Sequence, residues 1–164
     1  MLSLKKNPSL KNIFVKSKMD ADDILAGTFN CNRKRCITCN YTNRETTIQG
    51  PSGHYTITTA STCTTSNVVY AITCLSCSKI YVGETKRRLA DRFLEHRRDI
   101  INKKYSSPVA QHFNGQGHSI EDLSVSVLVQ CSTDANRKLA EMRAIYTLGT
   151  QDPAGMNIDF SFNV

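Results

Sequence analysis

Beyond residue 67 the chain alternates between apolar runs and amphipathic stretches, and each period names an element. Val68–Thr73 and Lys79–Val82 are rich in β-branched and aromatic residues and read as strands joined at Leu75-Ser76. A two-residue turn there would set Tyr70 opposite Tyr81 and Cys74 opposite Cys77, a register that a bulge would break. Lys86–Ile101 reads as a helix, with Leu89, Phe93, His96 and Ile100 on one face and Arg87, Arg88, Arg97 and Arg98 turned mostly elsewhere. Arg92 and His96 lie one turn apart and reach the same spot at the edge of the apolar stripe. Ser107-Pro108 caps and opens a short helix that stops at the glycines of Asn114-Gly115-Gln116-Gly117. Leu123, Val125, Val127 and Val129 alternate with polar residues except at Leu128, which marks a strand. Asp134–Leu148 reads as a second long helix, with Ala135, Leu139, Met142, Ile145 and Tyr146 expected inward and Glu141 on its flank; Pro153–Asn157 makes a turn. The order predicts an α+β domain whose small antiparallel sheet, about three-stranded, is flanked by helices.

The rest of the chain lacks this texture. Residues 1–30 carry scattered lysines, Pro8 and no sustained period, and are expected to form a poorly ordered linker. Residues 31–66 form a polar, Thr-rich segment around four cysteines, and residues 67–164 the folded domain. A Met followed directly by a linker is the expected look of a piece of a larger protein.

Composition adds a partner class and a compartment. Lys and Arg total 21 against 14 Asp and Glu, leaving a net charge of +7 that favours a polyanionic partner and says nothing of fold. Forty per cent hydrophobic and 21% charged residues fit a soluble globular protein, and no run is apolar enough for a signal peptide or a membrane span. The seven cysteines are therefore expected in a reducing, intracellular compartment, where clustered cysteines bind metal more often than they pair.

Two metal sets follow from spacing. Cys74-x2-Cys77 followed after 34 residues by His112-x5-His118 has the pattern of a structural zinc site. Cys31, Cys36, Cys39 and Cys63 offer a second set, C-x4-C-x2-C-x23-C, in which His54 could replace one ligand. Cys131, at a strand end, is expected to be buried.

Tyr70, Tyr81, Gly83, Arg92 and His96, gathered in one short stretch, point to a site that handles phosphate. These residues resemble the motifs of the GIY-YIG nuclease domain. Its first motif appears as Val68-Val69-Tyr70 and its second as Tyr81-Val82-Gly83. Its helical arginine falls on Arg92, its histidine on His96, its metal-binding glutamate on Glu141 and its terminal asparagine on Asn157. The match spans about 90 residues, Val68 to Asn157. It departs at Val68, where the family has its name-giving glycine, and by one extra residue between Tyr81 and Arg92. The Cys74-x2-Cys77 insertion and the lead-in NPSLKNIFVKSK with CNRKRCITC are similar to the endonuclease of Penelope-like retroelements and the linker that precedes it.

The resemblance implies a DNA endonuclease that nicks double-stranded target DNA in the nucleus, leaving a 3′-hydroxyl to prime a reverse transcriptase domain of the parent protein. It implies tyrosine hydroxyls that position or deprotonate water, with a cation needed because a phenol of pKa ~10 is a poor base. Arg92 would stabilise the pentacovalent phosphate, an effect worth ~10³–10⁵ in rate in phosphoryl transfer. Glu141 would hold one Mg²⁺ or Mn²⁺. Lys86, Arg87, Arg88, Arg97 and Arg98 are expected to track the DNA backbone. Charge, cysteines and sheet fit equally well a non-catalytic, zinc-containing nucleic-acid-binding module; a pure binder would not require Tyr70, Tyr81, Arg92 and Glu141 together.

Overall fold

The computed structural model describes residues 25–115 and 117–158. Short strands β1 (Gly27–Phe29), β2 (Thr47–Gln49), β3 (His54–Thr56) and β4 (Ala60–Thr62) precede β5 (Val68–Cys74) and β6 (Ile80–Thr85). Helices α1 (Leu89–Ile101) and α2 (Pro108–Phe113), strand β7 (Leu123–Gln130) and helix α3 (Asp134–Leu148) complete the order. This is the α+β architecture that the periodicity predicts, with an antiparallel sheet in the order β6-β5-β7.

The run VVYAITC is apolar or β-branched nearly throughout, and such a strand is stable only with both faces covered. It takes the centre of the sheet. Tyr70, Ile72 and Cys74 pack with Leu89, Phe93 and Ile100 of α1 and with Val109 and Phe113 of α2. On the other face Val69 and Ala71 meet Ala144, Ile145 and Leu148 of α3, together with Ile48 and Ile57 of the Cys-rich segment. Residues 31–66 and the sheet thus share a core. Of the stretch read as a linker, residues 1–24 lie outside the described residues, and its end forms β1, which runs parallel to β4.

The hairpin register differs from the sequence expectation. Tyr70 pairs with Gly83 and Ile72 with Tyr81, so the two tyrosines are not opposite one another, nor are Cys74 and Cys77. The connection runs from Leu75 to Ser78, closed by Ser78 N donating to Cys74 O at 2.7 Å with Ser78 left-handed at φ 63°. That longer turn slips the pairing by an even step, which keeps both tyrosines on one face as diagonal neighbours. Leu128, where the alternation of β7 fails, is the residue without a partner on β5: Val69 pairs with Val129, and Tyr70 with Val127.

Helix α1 starts at Leu89, three residues later than read, because β6 continues to Thr85 and its side chain accepts from Arg87 N. Its first free amides are satisfied from the cysteine segment: Leu89 N donates to Thr65 O and Ala90 N to Cys63 O. Helix α3 has the expected limits, set by Thr133 accepting from Asn136 N and by left-handed Gly149. Its inward face needs correction. Ile145 is buried as expected, but Ala135, Leu139, Met142 and Tyr146 are exposed, and Arg137, Ala144 and Leu148 are buried instead. The helix is rotated because Arg137 is drawn inward by Glu84, Asp134 and Asn67.

Both sheet edges are covered in part. On β7, Val127 N donates to Thr28 Oγ1 and Asn43 N to Val125 O. On β6, Met156 N donates to Ile80 O, and the Asn157 side chain takes the next position.

Candidate active site at the edge of the sheet

Gly83 shows why this strand must contain a glycine. A Cβ there would lie 2.7 Å from the Tyr70 hydroxyl and 2.8 Å from Tyr81 Cε1, so both rings close over the bare backbone. Tyr70, Tyr81 and His96 then stack edgewise, with ring centroids 6.5 Å apart for the tyrosines and 5.4 Å for Tyr81–His96. Arg92 Nε donates to the Tyr70 oxygen at 3.1 Å, which leaves the phenolic proton for His96 Nε2, 2.8 Å away. Burial, aided by the charge of Arg92, holds His96 down to about 3, so it is neutral and can accept that proton's hydrogen bond. Burial also raises both phenols.

The two tyrosines are not equivalent. Tyr70 is fully buried with its hydroxyl engaged on both sides. Tyr81 is half-buried and, with Arg92 and His96, lines a cleft of about 230 Å³ whose other wall carries Asp99, Lys104 and Ser107. Water positioning was expected of both hydroxyls; Tyr70 is fully buried, and of the two only Tyr81 lines the cleft. A larger hollow of about 540 Å³, lined by Lys79, His112 and Asp152, contains none of these groups.

Glu141 approaches from the other side of β6. Burial, and then the Glu84 carboxylate, push its carboxyl up to about 7, while Arg137 and Arg92 pull it down. Its charge in turn bears on both Tyr70 and Tyr81. The group therefore wraps around an edge strand: Tyr81 and Gly83 face α1, and Glu84 faces α3. The two half-buried carboxylates offer oxygen ligands, which fit a hard divalent cation better than a soft one. Two groups here escaped the sequence reading. Glu84 is the fourth residue of Tyr-Val-Gly-Glu and is held by Arg137 Nε. Glu95 accepts from Arg92 Nη1 at 2.9 Å and from both terminal nitrogens of Arg87 at 2.7 and 2.8 Å. Its i,i+3 spacing from Arg92 was a visible signal.

Asn157 is buried and its amide is engaged through both its oxygen and its nitrogen. Oδ1 accepts from Val82 N at 2.9 Å and from Thr150 Oγ1 at 2.7 Å, while Nδ2 donates to Val82 O at 2.8 Å. It acts as one more strand residue beside β6, a positioning role. The cations expected on DNA are unequal. Arg87 is paired with Glu95, Arg88 with Asp91 and Lys86, at 3.9 Å, with Asp134. Arg97 is half-buried with Nε lacking a partner, and Arg98 is exposed.

Both sets of metal-ligating side chains converge. Cys74 Sγ lies 3.5 Å from His118 Nδ1, and Cys77 Sγ 3.5 Å from His112 Nε2; all four ligand atoms fall within 4.8 Å of one another. A tetrahedral zinc with the usual bond lengths places sulfur and nitrogen about 3.5 Å apart and two sulfurs about 3.8 Å apart. Cys31, Cys36, Cys39 and Cys63 are gathered slightly inside the second figure, with contacts of 3.6, 3.3 and 3.5 Å. Both sets fit zinc. His54 lies on β3 and is outside the thiol set, which is complete without it. Cys131 is half-buried rather than buried.

Among solved structures the chain is similar to one described as the catalytic domain of the homing endonuclease I-TevI, at 23% identity and a TM-score of 0.49, over 56% of this chain and 97% of that one. No protein-family model matches the chain. No curated protein sequence matches it either.

Proposed function

We propose that the chain is a metal-dependent DNA endonuclease of GIY-YIG type that hydrolyses one phosphodiester of duplex DNA. The observation that carries this reading is the Tyr70 hydroxyl, held by Arg92 at 3.1 Å and His96 at 2.8 Å and pressed against Gly83, beside a carboxylate raised to about 7. A binding module has no use for a buried, fully engaged phenol whose one visible effect is to aim an arginine at a cleft.

The scissile phosphate sits in the cleft against Arg92. Tyr70 and Glu95 hold its guanidinium, which also bears on Tyr81, so its charge stands beside the cleft to meet charge developing on phosphorus. Tyr81, protonated at neutral pH, orients the attacking water through its oxygen. Tyr70 and His96 are positioning residues for Arg92. Glu141, with Glu84 beside it, holds Mg²⁺ or Mn²⁺. When bound, that ion supplies Lewis-acid charge to the phosphate and acidifies water. The two Cys/His sets hold structural Zn²⁺.

The Cys74-x2-Cys77 insertion and the lead-in sequence support a narrower reading: the nuclease of a Penelope-like retroelement. It nicks target DNA in the nucleus and hands a 3′-hydroxyl to the reverse transcriptase of its parent protein. The test is incubation of the purified chain with supercoiled plasmid and Mg²⁺ or Mn²⁺. Relaxed circles whose nicks a DNA polymerase extends directly are expected. Plasmid left supercoiled with both metals would overturn the reading.

A further inference from the structure

The strongest unpaired positive charge among the described residues is not on α1. Arg33, Lys34 and Arg35 lie on the loop between Cys31 and Cys36, all exposed, and none forms an ion pair with another described residue. The loop is short and fixed: Asn32 is left-handed at φ 57°, and Cys36 N closes a turn on Arg33 O at 3.2 Å. Both ends are gathered by the same thiol set, so three like charges are held on one tight turn. Left to itself such a loop would spread to relieve repulsion. Four thiolates around one zinc carry two negative charges, fewer than the three cations of the loop, whose side chains point outward and line an open depression with Asn40.

The position of this knuckle matters. Cys63, of the same thiol set, accepts from Ala90 N in the first turn of α1, and Tyr41, at the end of the 3₁₀ turn Ile37–Tyr41, packs on Phe93 at 5.2 Å between ring centroids. The loop therefore adjoins the end of α1 at which Arg87 and Arg88 sit, one turn before Arg92. Those two arginines are already matched by Glu95 and Asp91, so they release few counterions from DNA.

We infer that the Arg33-Lys34-Arg35 knuckle is the main phosphate-backbone contact of the protein, gripping the duplex to one side of the bond cleaved at Arg92. This rests on the reading of the chain as a DNA endonuclease and assigns its grip to a different element from its chemistry. Each cation that neutralises a phosphate adds about 0.9 to the slope of log affinity against log salt, so three together carry about 2.7. Between 50 and 200 mM salt that is a difference of roughly 40-fold.

The test measures binding of the 164-residue, zinc-loaded chain to a short duplex across that salt range, for wild type, for R33Q/K34Q/R35Q and for R87Q/R88Q. Zinc content and melting temperature confirm that each is folded, and the side chains replaced are all exposed. The knuckle variant is expected to flatten the slope by about 2–3 and to shorten the hydroxyl-radical footprint on one side of the nick, while R87Q/R88Q changes the slope by less than 1. Nicking at sub-saturating protein should fall in step with the lost affinity for the knuckle variant. An unchanged slope and footprint, with wild type still nicking, would overturn the inference alone. Wild type that neither binds nor nicks would remove the endonuclease reading and this inference together.

Discussion

Gly83→Ala is the most economical probe of the site, because a single methyl group enters a contact with known distances. The new carbon would stand 2.7 Å from the Tyr70 hydroxyl and 2.8 and 2.9 Å from ring carbons of Tyr81 and Tyr70. To reach ordinary contact at 3.4 Å the hydroxyl must move by about 0.7 Å. Tyr70 is fully buried and pinned by Arg92 and His96, so it cannot swing aside without dragging both. Overpacking of this kind costs ~1–3 kcal/mol, which for a chain of this size lowers the melting temperature by about 2–4 °C per kcal/mol. The activity loss is larger in proportion, since misplacing a reacting group by ~1 Å costs on the order of 10²-fold. The assay pairs thermal melting with single-turnover plasmid nicking. Tyr70→Phe removes the nearest clashing atom, so the stability losses of the two substitutions must be less than additive when combined. A Gly83→Ala protein that melts and cuts like wild type, or strictly additive losses with Tyr70→Phe, would refute the reasoning.

Three further outcomes are expected. Glu141→Ala should abolish nicking at any Mg²⁺ concentration while zinc content by elemental analysis stays unchanged, and DNA affinity should hold or tighten slightly as a carboxylate leaves a basic surface. Glu141 has an ordinary value of 4.5 and is raised to about 7, so its protonated form favours folding; without divalent metal, that contribution is full below about 4.5 and fades as pH rises through about 7, a decline in melting temperature that Glu141→Gln should remove. Stripping zinc with a zinc-selective chelator should unfold the chain as seen by circular dichroism, because structural zinc is worth ~10–16 kcal/mol against a whole-domain stability of ~5–15 kcal/mol; retention of the native spectrum after complete removal would count against both zinc sets.

What the sequence made legible tracks how local each signal is. Helix α3 was readable to the residue because Thr133 and Gly149 cap it chemically. Its buried face was not, since apolar spacing put Leu139, Met142 and Tyr146 inward, whereas an ion pair with Glu84, more than fifty residues away, turned Arg137 in instead. The tyrosines were placed on the correct face, but their register depended on Ser78 adopting a left-handed conformation that no local rule assigns to serine. Both metal sets were visible as spacing because ligands must be thiols or imidazoles. Glu95 could have been found by its i,i+3 spacing from Arg92, whereas Glu84 was invisible as a site residue because its partner Arg137 lies on a distant helix.

Asn157 ties the closing of the sheet edge to the order in which the chain is made. Its amide clamps Val82, 75 residues earlier, and Met156 N closes on Ile80 O, so the outer border of β6 is finished only by residues translated long after it. A ribosome-bound chain that has emerged only as far as α3 already holds Tyr81, Arg92 and Glu141, yet the strand carrying Tyr81 lacks its outer seam. The edge of the sheet that carries Tyr81 is therefore completed only after the long helix behind it has been made.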